Sequence, residues 1–442
     1  MALAQPANAP STHGARGAGD PYFPGQGNGG YEVDHYRLRL HYTPSTRMIR
    51  GVERIYAHAR KDLTRFDLDL RPSMKVATVT VQGAPARFAQ PAALKQELVI
   101  WPAKMLHKGH RFQVVVHYAG IGKSIRDPDD SLDGWIKTDD GAFVANEPQG
   151  TPTWYAVNDT PRDKATYRIS VNVPRPLKAI GNGALQSRVR KGSRTIWTWN
   201  LTTPISSYLV TATVGRYHLT RGKTPGGVPY LIAVDPTQRA KADPVLKNLP
   251  DIIDFFSAKY GAYPFHQAGA IVDNAPNVFY ALETATRPIF DRAPSALTLA
   301  HELAHQWFGD DVTLKRWRDI WLNEGFAEFS SWLWNGHNGG RTMAQHLRDW
   351  LADGTDVNPP PGDPGDAKDI FAGSVYDRGA CALQALREKI GGKVFFAIMR
   401  GWAHAHAYGN ATVPQFIAFA QRVSHRDLHT FFHRWLYRVG KP

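Results

Sequence analysis

A change of hydrophobic period near residue 220 is the feature that most constrains the fold of this chain. From about residue 31 to 220 apolar and polar residues alternate, as in HYRLRLHY (35–42), RFQVVVHY (111–118), TYRISVNV (166–173) and TIWTWNL (195–201). Alternation at every second residue is typical of half-buried strands, and turn sequences such as GNG and KGSR separate these stretches. Residues 31–220 are therefore predicted to form an antiparallel β-domain, either a β-sandwich or an open, saddle-like sheet.

After residue 220 the pattern becomes helical. Residues 243–261 begin with Asp-Pro and end with glycine, so they predict one helix, and residues 295–309 begin with a serine N-cap. Further amphipathic helices are predicted over 321–334, 375–392 and 413–424, and VPYLIAVDP and AGAIVDN predict a small sheet. A mainly α domain over 221–442 makes the whole chain an α+β protein.

The first 30 residues are rich in alanine, proline and glycine and show no apolar periodicity, so they predict a flexible leader over 1–30. The charged start and apolar core of an intact signal peptide are missing, but ALAQ at 2–5 resembles the end of one. This remnant favours an extracellular or periplasmic location over a cytoplasmic one. No apolar run reaches the length of about 18 residues that a membrane span needs.

The charge of the chain raises the question of a nucleic-acid partner. The 442 residues carry a formal net charge of +14, but the basic residues are scattered, with the densest cluster at 188–194. No stretch interleaves several basic residues with exposed aromatic ones, as nucleic-acid-binding surfaces do. We expect neither a nucleic-acid nor a membrane partner, and we expect a monomer.

Two polar segments stand inside the apolar second half, HELAHQWFGD at 301–310 and WLNEGFAEF at 321–329. Residues four apart lie on one face of a helix, so His301 and His305 can direct two imidazoles to one point. Zn²⁺ accepts imidazole nitrogens at about 2.0–2.1 Å. The apolar neighbours of the first segment would bury these polar groups, which then need partners. The segment therefore predicts a metal site.

A catalytic zinc needs a third protein ligand and an open fourth position. Glu324 follows His305 after eighteen intervening residues, enough for a helix end, a turn and a return, and it can supply a carboxylate. Glu302 lies beside the metal, where a base takes a proton from a zinc-bound water. Asp319 and Glu328 are candidates to orient the metal-binding histidines.

The pattern HExxH, eighteen residues, then Glu resembles the zinc helices of the M1 family of metallo-aminopeptidases, which belong to the gluzincins. The resemblance covers most of residues 31–442 and implies one Zn²⁺ per chain, bound by His301, His305 and Glu324. It implies a thermolysin-like catalytic domain over 221–442. It also implies a short form without the large C-terminal helical domain of bigger members, and so a more open site.

The resemblance extends to an edge strand upstream of the zinc helix. YALET at 280–284 stands where the family has GxMEN, a strand that holds the free amine of the substrate and pairs with its backbone. The match implies that Glu283 contacts the amine and that Ala281 lies in the substrate-pairing strand. The segment departs from the family pattern at Tyr280, Leu282 and Thr284, which bears on the shape of the pocket for the first side chain.

Two more residues follow from the resemblance. SVYDRGACAL places Tyr376 in register with the family tyrosine, which implies a phenol that donates a hydrogen bond to the developing oxyanion. Counting twelve residues back from Asp159 gives Glu147 as a second acid for the ammonium group, with Gln149 as the neighbouring possibility.

The resemblance implies a zinc-dependent aminopeptidase that removes the N-terminal residue of peptides by means of a zinc-activated water. One alternative is an epoxide hydrolase or bifunctional enzyme of the same family, which needs a deep apolar tunnel. A thermolysin-like endopeptidase is another, although its substrates lack the charge that two amine-binding acids would recognise. A scaffold without zinc is the third, although the three ligands, the base and the tyrosine are all present.

Overall fold

A computed structural model describes residues 11–442 of the protein. The first half of the protein consists mainly of strands. In chain order they are β1 (Ala15–Arg16), β2 (Asn28–Gly29), β3 (Tyr31–Thr43), β4 (Met48–Ala59), β5 (Phe66–Asp69), β6 (Met74–Val81), β7 (Ala84–Pro85), β8 (Arg87–Ala89), β9 (Glu97–Trp101), β10 (Arg111–Ile121), β11 (Ser124–Arg126), β12 (Leu132–Lys137), β13 (Ala142–Ala145), β14 (Ala165–Pro174), β15 (Lys178–Gly181), β16 (Ala184–Lys191), β17 (Arg194–Ile205) and β18 (Ala212–Gly215).

These strands form one large sheet and three smaller ones, of which the smallest is the pair β1-β2. The large sheet has eight strands in the order β16-β17-β14-β3-β4-β10-β6-β7, beside a five-stranded sheet β11-β12-β13-β18-β15 and a three-stranded sheet β5-β9-β8. The predicted β-domain is confirmed, with one correction. β3 and β14 pair in parallel, so the large sheet is mixed rather than purely antiparallel.

The alternation in the sequence correctly predicts the buried faces of the long strands. In β3, Tyr36, Leu38, Leu40 and Tyr42 are all buried, and their polar neighbours are at least partly open to water. β10 and β17 bury their apolar alternates in the same way. The period of two is reliable here because each strand covers a core on one side and meets solvent on the other.

Helices dominate the second half. Its strands are β19 (His218–Lys223), β20 (Pro229–Val234), β21 (Ala268–Val272), β22 (Ala281–Leu282), β23 (Ile289–Phe290), β24 (Thr313–Leu314) and β25 (Asn410–Ala411). Its helices are α1 (Arg239–Leu246), α2 (Leu249–Tyr260), α3 (Ala296–Ala304), α4 (Trp321–His337), α5 (Met343–Asp353), α6 (Gly373–Ile390), α7 (Gly392–Ala405), α8 (Val413–Ser424) and α9 (His429–Phe432). No described helix is long and apolar enough to cross a bilayer.

The small predicted sheet exists and has an edge that matters for the site. Its order is β19-β20-β21-β23-β22, so β22 is an edge strand. β20 and β21 contain the two predicted stretches and pair in parallel. Because β19 belongs to this sheet, the predicted boundary at residue 220 falls inside a strand, and the architecture changes between β18 and β19.

Two helix predictions need correction. The single helix predicted over 243–261 is in fact α1 and α2, because Pro250 lacks an N–H and lies in the first turn of α2. The helix predicted over 295–309 begins as expected, with the Ser295 side chain accepting a hydrogen bond from the Thr298 N–H. It ends at Ala304, after which Gln306 and Trp307 each donate an i→i−3 hydrogen bond that tightens the chain.

The predicted leader is packed in the part that the structure describes. The N–H of Trp317 donates to the Asp20 carboxylate, and the Trp317 indole donates to the Gln26 side-chain oxygen. Phe23 is buried against the same tryptophan. Single polar and aromatic contacts thus attach this segment to the rest of the protein without any periodic pattern. Residues 1–10, with the ALAQ remnant, lie outside the described part of the chain.

Candidate active site

Three metal-binding side chains converge where α3 and α4 pack together. His301 lies in the last turn of α3, His305 follows the helix, and Glu324 lies in the first turn of α4. The Nε2 atoms of His301 and His305 lie 3.2 and 3.4 Å from Oε2 of Glu324. Ligands at about 2.0–2.1 Å from a tetrahedral ion are about 3.4 Å apart, so this donor set fits Zn²⁺.

Both imidazoles are oriented by hydrogen bonds on the side away from this cluster. Nδ1 of His301 lies 2.9 Å from Oε2 of Glu328, and Nδ1 of His305 donates to the Phe308 carbonyl at 3.0 Å. These contacts keep both Nε2 atoms available for a metal. Of the two orienting candidates, Glu328 fills the role, whereas Asp319 accepts a hydrogen bond from Val413 N–H at the start of α8.

Two further carboxylates lie next to the metal-binding cluster. Glu283 follows the edge strand β22, and Glu147 follows β13 of the β-domain. One carboxylate oxygen each of Glu147, Glu283 and Glu324 lies within 4.8 Å of the others. Oε1 of Glu147 and of Glu283 is buried and has no hydrogen-bond partner among residues 11–442. Gln149 instead accepts a hydrogen bond from Arg71, so Glu147 is the residue of the two that reaches the cavity.

Glu302 and Tyr376 complete the surroundings of the cluster. Glu302 is buried, and one of its oxygens lies within 4.8 Å of donor atoms of Glu283 and His305. Tyr376 lies in the first turn of α6, with its ring centroid 5.8 Å from that of His301. Both side chains line the same cavity. All the residues predicted for the site are thus brought together.

The cavity that contains these groups measures about 280 Å³. This is near the lower limit of small-molecule pockets, about 300 Å³. Its walls are formed by the predicted site residues, Ala281 among them, together with Asp129, Ser131, Tyr280, Leu282 and Phe371. Asp129, Ser131 and Phe371 were missed by the sequence analysis because they lie in loops that carry no motif.

Burial and neighbouring charges shift the pKa values of the carboxyl groups in this cavity in opposite directions. Burial, reinforced by the charges of Glu283 and Glu324, raises the pKa of Glu147 well above its usual value. Burial also raises the pKa of Glu302, to about 7. For Glu324 burial acts in the same direction, but the charge and hydrogen bonds of the two histidines prevail and hold its pKa at about 2.

Gln306, a buried residue that the sequence analysis did not single out, joins the two parts of the site. Its side-chain amide donates to the Glu283 carbonyl at 3.3 Å and to the Asp310 carboxylate at 2.7 Å. Its side-chain oxygen accepts from Thr286 N–H at 2.8 Å. Gln306 directly follows His305, so the chain that places a metal-binding histidine also fixes the segment that carries Glu283. Its place beside the second histidine was the only signal for this role.

Two family models match the chain: the peptidase M1 N-terminal domain at residues 32–209 and the peptidase family M1 domain at residues 264–435. Aminopeptidase N of Streptomyces lividans is 30% identical over 318 residues, which are 65% of this chain and 36% of that protein. Human endoplasmic reticulum aminopeptidase 1 is 27% identical over 423 residues, 85% of this chain and 44% of that protein. The chain thus spans less than half the length of these curated relatives.

Solved structures match over nearly their whole length. The M1 zinc metallopeptidase of Deinococcus radiodurans superimposes with a TM-score of 0.89 at 26% identity, covering 96% of this chain and 98% of that one. A mutant of it bound to a Tyr-Ser-Ala substrate gives a TM-score of 0.90 at 25% identity, with the same coverage. With the two domain models, the three converging donors and these neighbours together, the chain belongs to peptidase family M1 and its metal cofactor is Zn²⁺.

Proposed function

We propose that this protein is a zinc aminopeptidase that removes the N-terminal residue of peptides. One observation carries the proposal: two buried, unpaired carboxylates, Glu147 and Glu283, share a cavity with a three-ligand metal site. A buried carboxylate without a partner is costly, so such a pair calls for a cation. The α-ammonium group of a peptide is a cation that lies one residue from the first peptide bond.

Amine recognition would set the register of cleavage. Each charge-assisted hydrogen bond from the ammonium group to Glu147 or Glu283 is worth about 1.5–3 kcal/mol. With the ammonium group held there, the first peptide carbonyl falls beside His301, His305 and Glu324. A peptide that enters by an internal segment brings no charge for the two acids and leaves them unpaired. This supports an exopeptidase over a thermolysin-like endopeptidase.

The remaining side chains suit hydrolysis at that bond. Zn²⁺ held by His301, His305 and Glu324 would act as a Lewis acid on the scissile carbonyl and lower the pKa of the attacking water. Glu302 would accept a proton from this water and return it to the leaving amine. Tyr376, whose pKa burial raises well above its usual value, stays protonated and would donate a hydrogen bond to the developing oxyanion.

The relatives support the same substrate class. The curated proteins that match are named as aminopeptidases, among them those of Streptomyces lividans and human. The mutant enzyme from Deinococcus radiodurans was solved with a tripeptide, Tyr-Ser-Ala. A cavity of about 280 Å³ that contains the two acids beside the metal-binding residues agrees with such substrates.

The test is a panel of aminoacyl-arylamides with free amines, each paired with its N-acetylated form, on the zinc-loaded protein. We expect hydrolysis of the free forms only, loss of turnover with a chelator, and recovery on adding zinc. Glu302→Gln should keep its zinc and lower the rate about 10²–10⁴-fold. Equal rates on free and blocked substrates would refute the exopeptidase assignment, and turnover that survives the chelator would refute the metal mechanism.

A further inference from the structure

The cavity is bordered by a short acidic loop between β11 and β12. Its residues Asp127–Ser131 form a tight turn, with Asp127 N–H donating to the Ser131 carbonyl at 3.0 Å and Asp130 N–H donating to the Asp127 carbonyl at 2.9 Å. The Tyr280 hydroxyl donates to the Leu132 carbonyl at 2.6 Å and so ties the loop to the segment that carries Glu283. The loop is thus an ordered part of the cavity wall.

Two adjacent aspartates of this loop face different surroundings. Asp129 lines the cavity, and its Oδ1 accepts hydrogen bonds from the Ser131 N–H and hydroxyl at 3.0 and 2.7 Å. Asp130 does not line the cavity; it pairs with Arg126 at 3.1 Å, and its side chain is 85% exposed. Both aspartates are exposed, and of the two only Asp129 contributes to the cavity wall.

Asp129 is the one acid of the cavity wall that has no role in the proposed function. The acids in the cavity wall are Asp129, Glu147, Glu283, Glu302 and Glu324, and no lysine or arginine lies among the wall residues. Glu324 serves the metal, Glu302 the water, and Glu147 and Glu283 the α-ammonium group of the substrate. Oδ2 of Asp129 makes no hydrogen bond or ion pair with any described residue. It can therefore accept a further cation from the substrate.

We propose that Asp129 is a specificity-determining residue that favours substrates whose N-terminal residue has a cationic side chain, lysine or arginine. This inference rests on the proposed aminopeptidase function. The first side chain and the α-ammonium group are attached to the same carbon atom. Once Glu147 and Glu283 hold the ammonium group, that side chain lies along the wall formed by Tyr280, Ser131 and Asp129.

The cavity wall also offers apolar contacts to the methylene groups of a long cationic side chain. Tyr280 and Phe371 offer aromatic surface to the methylene groups, and Asp129 lies at the rim for the charged end. Burial and the charges of Asp133, Asp127 and Glu147 raise the pKa of the Tyr280 hydroxyl, which indicates a negative potential on this side of the cavity. A neutral side chain gains the apolar contacts but not the ion pair.

The test compares lysyl- and norleucyl-arylamides, which differ by one ammonium group, on the zinc-loaded wild type, Asp129→Asn and Asp130→Asn. In the wild type we expect a higher kcat/KM for the lysyl substrate, and a ratio of the two that falls as salt is added. Asp129→Asn should lower this ratio about threefold to fivefold, the size of an ion pair that is partly open to water. Asp130→Asn, one residue away, should leave the ratio unchanged.

The outcomes distinguish a failure of the role of Asp129 from a failure of the proposed aminopeptidase function. A wild type that hydrolyses neither free substrate would overturn both. An active wild type whose ratio is the same in Asp129→Asn, or changes equally in Asp130→Asn, would overturn only the role of Asp129. Asp129→Lys gives an independent check, because it should move the preference towards the norleucyl substrate even where Asp129→Asn has a small effect.

Discussion

The cavity has two ends that use the same kind of group in opposite ways. At the metal end, Glu324 lies among imidazoles that hold its pKa at about 2, so it is ionised in the folded protein. At the amine end, burial and the charges of Glu283 and Glu324 raise the pKa of Glu147. The protein supplies the countercharge at the metal end. Under the proposed function, the α-ammonium group of the substrate supplies the countercharge at the amine end, so substrate binding would stabilise the folded protein.

The largest effect is expected from breaking the metal end. His305→Ala removes one of three donors, so bound zinc should fall from one ion per chain to none, and hydrolysis should fall by more than about a thousandfold. Metal analysis and arylamide kinetics measure the two. His266→Ala, an exposed histidine of the same domain, is the matched control. Retention of zinc and turnover in His305→Ala would contradict the site.

Breaking the amine end should impair substrate recognition without affecting the metal. Glu283→Gln loses a charge-assisted contact, so kcat/KM for free aminoacyl-arylamides should fall about tenfold to hundredfold, while the zinc content stays at one ion per chain. Steady-state kinetics beside metal analysis on one preparation separate these quantities. Loss of zinc in this variant would show that the two ends are not independent.

A variant of Glu328 tests how much its contact with His301 contributes to zinc binding. Glu328→Gln keeps the size of the side chain but removes the charge that faces His301, so zinc affinity should fall about tenfold to hundredfold. Titration against a competing chelator gives the affinity. Asp319→Asn is the control, since Asp319 contacts α8 instead, and an equal loss of affinity there would argue against a specific role for Glu328.

The smallest effect concerns stability and pH. In the folded protein Glu147 keeps its proton above pH 4.5, where the unfolded chain has released it, so the stability of the metal-free protein should fall as pH rises from there. Glutamine does not titrate. Glu147→Gln should therefore melt at a higher temperature than the wild type at pH 8 and at nearly the same temperature at pH 4.5. A gap that is the same at both pH values would contradict a raised pKa of Glu147 in the folded protein.

The sequence was most informative where physical periodicity and spacing decide the structure. The spacing of four residues predicts that His301 and His305 lie on one face of a helix. The eighteen residues that follow His305 allow a second helix to pack against the first and place Glu324 beside them. The alternation in β3 and β10 gave their buried faces without error. Glu147 could be named only through the family resemblance, because no local pattern links a loop of the β-domain to a residue of the edge strand.

The features that escaped prediction depend on contacts between segments far apart in the chain. Asp129 and Phe371 reach the cavity from loops, and a loop sequence does not state which way its side chains face. The function of Gln306 depends on a carbonyl 23 residues away. The split into α1 and α2 was foreseeable, since a proline in a helix interior both lacks a donor and crowds the preceding turn.

The anchored N-terminal segment has a practical consequence for the boundaries of the folded unit. The matching family model starts at residue 32, yet Gln26 donates to the carbonyl of Pro148, the residue after Glu147, while also accepting from Trp317 of the helical half. A protein that begins at the family boundary would lose these two hydrogen bonds, which link its two halves beside Glu147. Under the proposed function, we expect such a protein to fold and bind zinc but to bind the peptide terminus less tightly.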